Sequence, residues 1–215
     1  MNTPILNYMA MVIPILFALT VHEYSHGYIA FRLGDNTAKN MGRLTLNPIS
    51  HIDPIGMIML FIIGMGWAKP VPINIYAFSR PKRDLAISAA AGPLSNFIMA
   101  AIVGLLFRIF PQLQPLQGDT GILLFLKLNL FYFLLINVGL GIFNLIPIPP
   151  LDGSKILRGF LPDSKVHIID YLERYGGIIL LAIVFFGRVS GFSVFGRLIG
   201  PLIYGMVNFF SGISL

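Results

Sequence analysis

His22, Glu23 and His26 fall in one short stretch, VHEYSH, with the two histidines four positions apart. On a helix, positions i and i+4 lie about 40° apart on one face, so both imidazoles can bind one metal ion. Glu23 lies about 100° round from His22, where its carboxylate reaches a water beside the metal rather than the metal itself. Two imidazoles holding zinc, with a carboxylate that takes and returns a proton, is the equipment of a zinc hydrolase. The stretch closes an apolar segment, and a helix end whose polar groups reach toward lipid headgroups would explain a lone His or Glu. It explains three groups in this register poorly, because each ionisable group inside a membrane costs about 2.5–3.5 kcal/mol on insertion scales. Zinc binding, on the order of 10 kcal/mol in a well-made site, offsets that cost.

Catalytic zinc usually keeps three protein ligands and one open position. The chain has no cysteine, so a third ligand must be His, Asp or Glu. Asp35, Asp53, Asp84, Asp119, Asp163, Asp170 and Glu173 stand in or beside polar segments, where solvated charge is ordinary. Asp152 differs, because it follows a long apolar run and a proline-rich bend in NLIPIPPLDGSKIL. Prolines stop a helix and let a loop carry a carboxylate back toward membrane depth, which is tolerated where backbone lines a cavity. Spacing alone supports that reading and an ordinary Asp-Gly surface turn equally. His51, in SHIDP, reads as a surface histidine in preference to a substrate-loop residue.

The elements that must position these groups are membrane elements. Of 215 residues, 56% are hydrophobic and only 11% charged, too few charges to cover a soluble domain of this size. A first span is predicted from Pro4 through VHEYSH, with Pro14 inside it. The polar stretch 32–54 includes a short alternating piece, GRLTLN. Ile55–Trp67 is apolar but short, which predicts a re-entrant or interfacial segment. AKPVPINIYAFSR reads as extended, and its Val71–Phe78 part as a strand that pairs with GRLTLN or offers a free edge to an unwound peptide. Two full spans follow, Leu85–Phe107 and Ile122–Ile146, then a basic connector at Leu151–Tyr175. The last apolar region is broken by GRVSG, giving one span plus an interfacial helix, or a hairpin. The predicted fold is an α-helical polytopic membrane protein of about four to six transmembrane or re-entrant helices with a small β-hairpin at the cytoplasmic face.

Eleven of the fifteen Lys and Arg lie in residues 32–83 and 155–174. If Ile55–Trp67 re-enters, all eleven fall on one side, which the positive-inside rule makes cytoplasmic. The N-terminus then faces out and the HEYSH end of the first span lies toward the cytoplasm. Topology accounts for the net charge of +6, so nucleic acid is not an expected partner.

HEYSH on the first span, AGPLSN on a later one and NLIPIPPLDG after the next together resemble the site-2 protease family of intramembrane zinc metalloproteases. The connecting stretches GRLTLNPISHIDPIG and GWAKPVPIN resemble that family too, so the likeness covers roughly residues 10–160. HExxH alone is shared by unrelated zinc enzymes; all these pieces in order within membrane spans are specific. The resemblance implies one zinc ion held by His22, His26 and Asp152, with Glu23 as base. It places Asn144 near the site as an aid to the oxyanion and makes Asn96 a second candidate there; either could equally be an interhelical hydrogen bond. It implies transmembrane protein substrates, a multi-pass protein of the cell membrane, and a single domain over residues 1–215 with a C-terminal apolar region at 176–213. The form expected is a compact one, without PDZ-like or CBS-like domains. A metal transporter or a proteolytically silent membrane scaffold are the alternatives. The first would want ligands on both halves of a permeation path, and the second has no use for Glu23 beside the ligands.

Overall fold

Twenty-nine residues, Pro4–Arg32, form α1, which carries the HEYSH motif in its second half. The computed structural model describes residues 4–63, 66–116, 118–191 and 193–213. A short α2 (Thr37–Asn40) and α3 (Pro54–Ile63) precede α4 (Pro81–Ile109) and α5 (Gly121–Asn144). Then come α6 (Asp152–Phe160), α7 (Val166–Ser190) and α8 (Val194–Ser211). Among the described residues, α1, α4 and α5 are the three helices long and apolar enough to cross a membrane. They pack against one another, α6 lies against α4, and α8 packs on both α4 and α5.

Helix α4 shows why this bundle belongs in lipid. Its buried face carries Ser88, Ala89, Gly92, Asn96, Ala100, Val103 and Phe107, mostly small or polar residues. Its exposed face carries Leu94, Ile98, Ile102 and Leu105, each more than half exposed. In water this pattern would be reversed; in a membrane, small residues let helices approach and large aliphatic ones face the acyl chains. An apolar cluster of Ala100, Val103 and Phe107 with Leu134, Val138 and Val207 ties α4, α5 and α8 together away from the motif.

Helix α3 has 10 residues, about 15 Å of rise, which is half of a bilayer's roughly 30 Å hydrocarbon core. Ile52 and Ala68 face each other in an isolated antiparallel bridge, and the Lys69 N–H donates to the His51 carbonyl at 2.9 Å. The chain therefore leaves and returns at one point of the fold on either side of α3. Beyond α6, helix α7 already starts at Val166, inside the expected connector, and ends at Ser190, capped by Gly191 in a left-handed conformation (φ 70°). The C-terminal apolar region thus forms two helices joined at that glycine, and they pack on each other.

The expected β-hairpin is not formed: among the described residues there is no strand, and Ile75–Ala77 is a 3-10 turn. Side chains and prolines take the place of a ladder. Pro70 and Pro72 have no N–H to give. Asp35 accepts the Asn74 N–H at 2.7 Å, and Asn74 Oδ1 accepts from Tyr76. On the other arm, Thr45 Oγ1 accepts from Asn47, whose own Oδ1 accepts from Ile49. Local Asn, Asp and Thr oxygens compete with strand pairing for these donors. The same architecture corrects three solvated assignments. Asp35 and Asp84 are buried, as is His51, whose Nε2–H donates to the Thr45 carbonyl at 2.8 Å.

Candidate metal centre

Ala18, His22, His26 and Ala30 follow one another at four-residue intervals along α1, and all four are buried. Small residues above and below the histidines let α4 close against this stripe. Opposite them, Gly92 faces both rings: a Cβ there would lie 2.6 Å from Cε1 of His22 and closer still to His26 Nε2. Any side chain at position 92 would occupy the space where the two rings meet.

Each imidazole is oriented through its Nδ1. His26 Nδ1–H donates to the Ser88 carbonyl at 2.7 Å, and Ser88 Oγ–H returns a bond to the His26 carbonyl at 3.0 Å. His22 Nδ1–H donates to Asn96 Oδ1 at 2.6 Å. With Nδ1 protonated in both rings, the neutral histidines present bare Nε2 lone pairs. Those two nitrogens lie 3.0 Å apart, and Asp152 Oδ2 lies 3.1 Å from His22 Nε2 and 3.0 Å from His26 Nε2.

Three lone-pair donors thus converge from α1 and from the start of α6, and all three residues are buried. Facing acceptors repel unless a cation lies among them, and two imidazoles with one carboxylate is a common catalytic zinc donor set. The residues fit a zinc ion. Asp152 reaches them because PIPP ends α5 and turns the chain back. Gly153 then sits directly on the carbonyl end of α5, where a Cβ would press on the backbone of Leu145 and Ile146. The other Asp152 oxygen, Oδ1, lies 3.3 Å from Lys155 Nζ, one turn along α6.

Glu23 enters the same space without joining the cluster. Its Oε2 accepts the Val71 N–H at 2.9 Å, so the extended segment after Ala68 holds the carboxylate in place. A cavity of about 310 Å³ opens here, lined by His22, Glu23, His26 and Asp152 together with Val71 and Lys155. Asn144 also lines it, but its amide Nδ2–H donates to its own helix at Leu140, 3.1 Å away. Asn96, the other candidate, contacts His22 through its Oδ1 and bridges helices through Nδ2–H donation to Asn137 Oδ1 at 2.9 Å.

Sequence reasoning missed Ser88, Gly92, Asn137, Lys155 and the Val71 amide. The run SAAAGPLSN carried a usable signal, since so many small residues on one apolar helix mark a close helix contact. A backbone amide such as that of Val71 leaves no mark in side-chain type.

Residues 119–186 match Peptidase family M50. The candidate zinc metalloprotease YwhC of Bacillus subtilis is 37% identical over 176 residues, covering 80% of this chain and 78% of that protein. The candidate zinc metalloprotease Rip2 of Mycolicibacterium smegmatis is 26% identical over 93% of this chain and 73% of its own length. Protease RseP of Photorhabdus luminescens is 33% identical over 52% of this chain and 44% of its own length. No solved structure matches the chain. With a buried His-His-Asp cluster, three membrane-length helices and a relative this similar over most of both chains, the protein belongs to peptidase family M50, the site-2 protease family of zinc metalloproteases.

Proposed function

We propose that this protein is an intramembrane endopeptidase that cuts the transmembrane segments of other proteins near their cytoplasmic ends. The observation that carries the reading is the convergence of His22 Nε2, His26 Nε2 and Asp152 Oδ2 beside Glu23 in a cavity inside an apolar helix bundle. His22, His26 and Asp152 would hold the zinc, which when bound would supply Lewis acidity to a water and to the scissile carbonyl. Glu23 would take the proton of the attacking water at its carboxylate and return it to the amine nitrogen as the peptide C–N bond breaks. The Val71 N–H keeps one Glu23 oxygen engaged, which leaves the other for the proton. Lys155 and Asn144, both on the cavity wall, are side-chain donors that would serve charge developing on the substrate oxygen.

A membrane helix hides its carbonyls in i to i+4 hydrogen bonds, so a substrate must unwind before it can react. The extended segment over the cavity, which includes Pro70, Val71 and Ile73, borders the place where an unwound peptide would lie. The basic residues around this end of the bundle set it toward the cytoplasm and the N-terminus outside. The whole chain acts as one membrane-embedded unit. Among the described residues there is a single group of metal-ligating side chains, which favours a catalytic centre over a transport path.

Glu23→Gln tests the assignment of the base. The variant should keep its zinc and its fold while cleavage of a reconstituted transmembrane substrate falls at least a hundredfold, in line with about 10²–10⁴ for a general base. Cleavage within tenfold of wild type would remove Glu23 from that role.

A further inference from the structure

Three asparagines lie along α5, Asn129, Asn137 and Asn144, and each donates its Nδ2–H to the carbonyl four residues earlier in its own helix. Asn137 is the one whose oxygen also crosses to another helix: its Oδ1 accepts from Asn96 on α4 at 2.9 Å. Asn137 and Asn96 are both fully buried. From these contacts we infer that Asn137 is a positioning residue for the metal centre, fixing through Asn96 which nitrogen of His22 is free to bind zinc.

The inference follows from the direction of each hydrogen bond. The Phe133 carbonyl can only accept, so the Asn137 group facing it at 2.8 Å is the NH₂. Asn137 Oδ1 therefore points the other way, at Asn96. An oxygen there obliges Asn96 to present its own NH₂, and the Ala18 carbonyl, 3.3 Å from the same nitrogen, makes the same demand more weakly. Asn96 Oδ1 is left facing His22 Nδ1 at 2.6 Å, which must then carry the proton. The result is an Nε2 lone pair aimed at Asp152 and His26. Reversing any member would set two acceptors or two donors face to face in a buried site, which is unfavourable. The chain of three side chains thus transmits the polarity of a backbone carbonyl on α5 to a ring on α1. His26 needs no such relay, since the Ser88 carbonyl meets its Nδ1 directly.

This rests on His22 being a zinc ligand, and the experiment separates the two claims. Zinc affinity of the full chain in detergent is measured by competition with a chromophoric chelator, alongside thermal melting of the metal-free protein. Asn137→Leu should weaken zinc binding about tenfold, toward the low end of what outer partners of metal ligands contribute. Asn129→Leu is the matched control: it removes the same kind of helix-internal bond two turns away, and zinc affinity should stay within about twofold because it touches no ligand. In an Asn96→Ala background, Asn137→Leu should add nothing further, because its route to His22 is already cut. Asn137→Asp, isosteric and neutral in this fully buried setting, keeps a donor toward the Phe133 carbonyl in its carboxyl O–H and an acceptor toward Asn96 in its C=O. It should bind zinc within about threefold of wild type and carries the test if the leucine variant does not fold. Unchanged affinity in Asn137→Leu, an equal further loss in the Asn96→Ala background, or a tenfold loss in Asn137→Asp would each overturn the relay. If His22→Ala binds zinc as tightly as wild type, the metal centre itself is misassigned. If His22→Ala loses zinc while Asn137→Leu does not, only the relay fails.

Discussion

Glu23 and Val71, 48 residues apart in sequence, are joined by a hydrogen bond of 2.9 Å from the Val71 N–H to Glu23 Oε2. The carboxylate on α1 is thus aimed by a loop that itself borders the cavity, so in the proposed mechanism one segment would both border the substrate and orient the base. The Val71 side chain reinforces the join by lying against Gly27, where a Cβ would come 2.9 Å from Val71 Cγ1. Val71→Pro removes the N–H, and kcat should fall about tenfold while zinc content holds, the loss of one charge-assisted hydrogen bond to the base. Val71→Ala keeps the N–H and should retain most of the rate. Equal rates for the two variants would mean the bond does not orient Glu23.

Gly92 gives a second test, with an unusual sign. Alanine is favoured over glycine within a helix by about 1 kcal/mol, so Gly92→Ala should not weaken α4 as a helix. Its methyl group would nonetheless press on both histidine rings. The expected outcome is a folded protein whose zinc affinity drops at least tenfold, read by the same chelator competition, since a displaced ligand is worth more than an outer partner. Wild-type affinity in this variant would show that α4 can move away from the rings at little cost.

The two histidines and Glu23 were legible because helical geometry links residues four apart without reference to the rest of the chain. Asp152 was different. It lies 126 residues from His26, and spacing alone leaves it even between a ligand and a surface turn; only the family resemblance separates the two. Ser88, Gly92 and Asn137 were not legible at all, since their roles exist only once α1, α4 and α5 are packed. The misread hairpin has a local cause. Alternation in GRLTLN and β-propensity in INIYAF are real, but neither reveals that Asp35, Thr45, Asn47 and Asn74 side chains take the N–H groups a ladder would need. Burial of Asp35 and Asp84 escaped for the same reason, because a carboxylate that accepts nearby backbone donors looks in sequence like any solvated one.

Topology is open to a clean chemical test, since the chain has no cysteine of its own. Asn36, Ser79 and Ser164 are exposed positions on the proposed cytoplasmic side, and Gln112 is exposed at the opposite end of α4. In intact cells, an impermeant thiol reagent should label Gln112→Cys and spare Asn36→Cys, Ser79→Cys and Ser164→Cys. External labelling of Ser79→Cys but not Asn36→Cys would show that the segment containing α3 crosses the membrane.

Substrate choice should follow the cost of unwinding. Each glycine in place of alanine lowers helix stability by about 1 kcal/mol, worth about fivefold if unwinding precedes the cut. Matched transmembrane substrates with one or two glycines near the cleavage site should be cut correspondingly faster than leucine-only versions. Equal rates would place the slow step elsewhere.

The central claim is that His22, His26 and Asp152 form one zinc site, and metal analysis of purified full-length chain tests it most directly. Wild type and Glu23→Gln should each carry one zinc per chain, whereas His22→Ala and Asp152→Ala should both fall well short, because two ligands make a poor zinc site. A full equivalent of tightly held zinc in Asp152→Ala, alongside its loss from His22→Ala, would contradict the account and return Asp152 to the status of a turn residue.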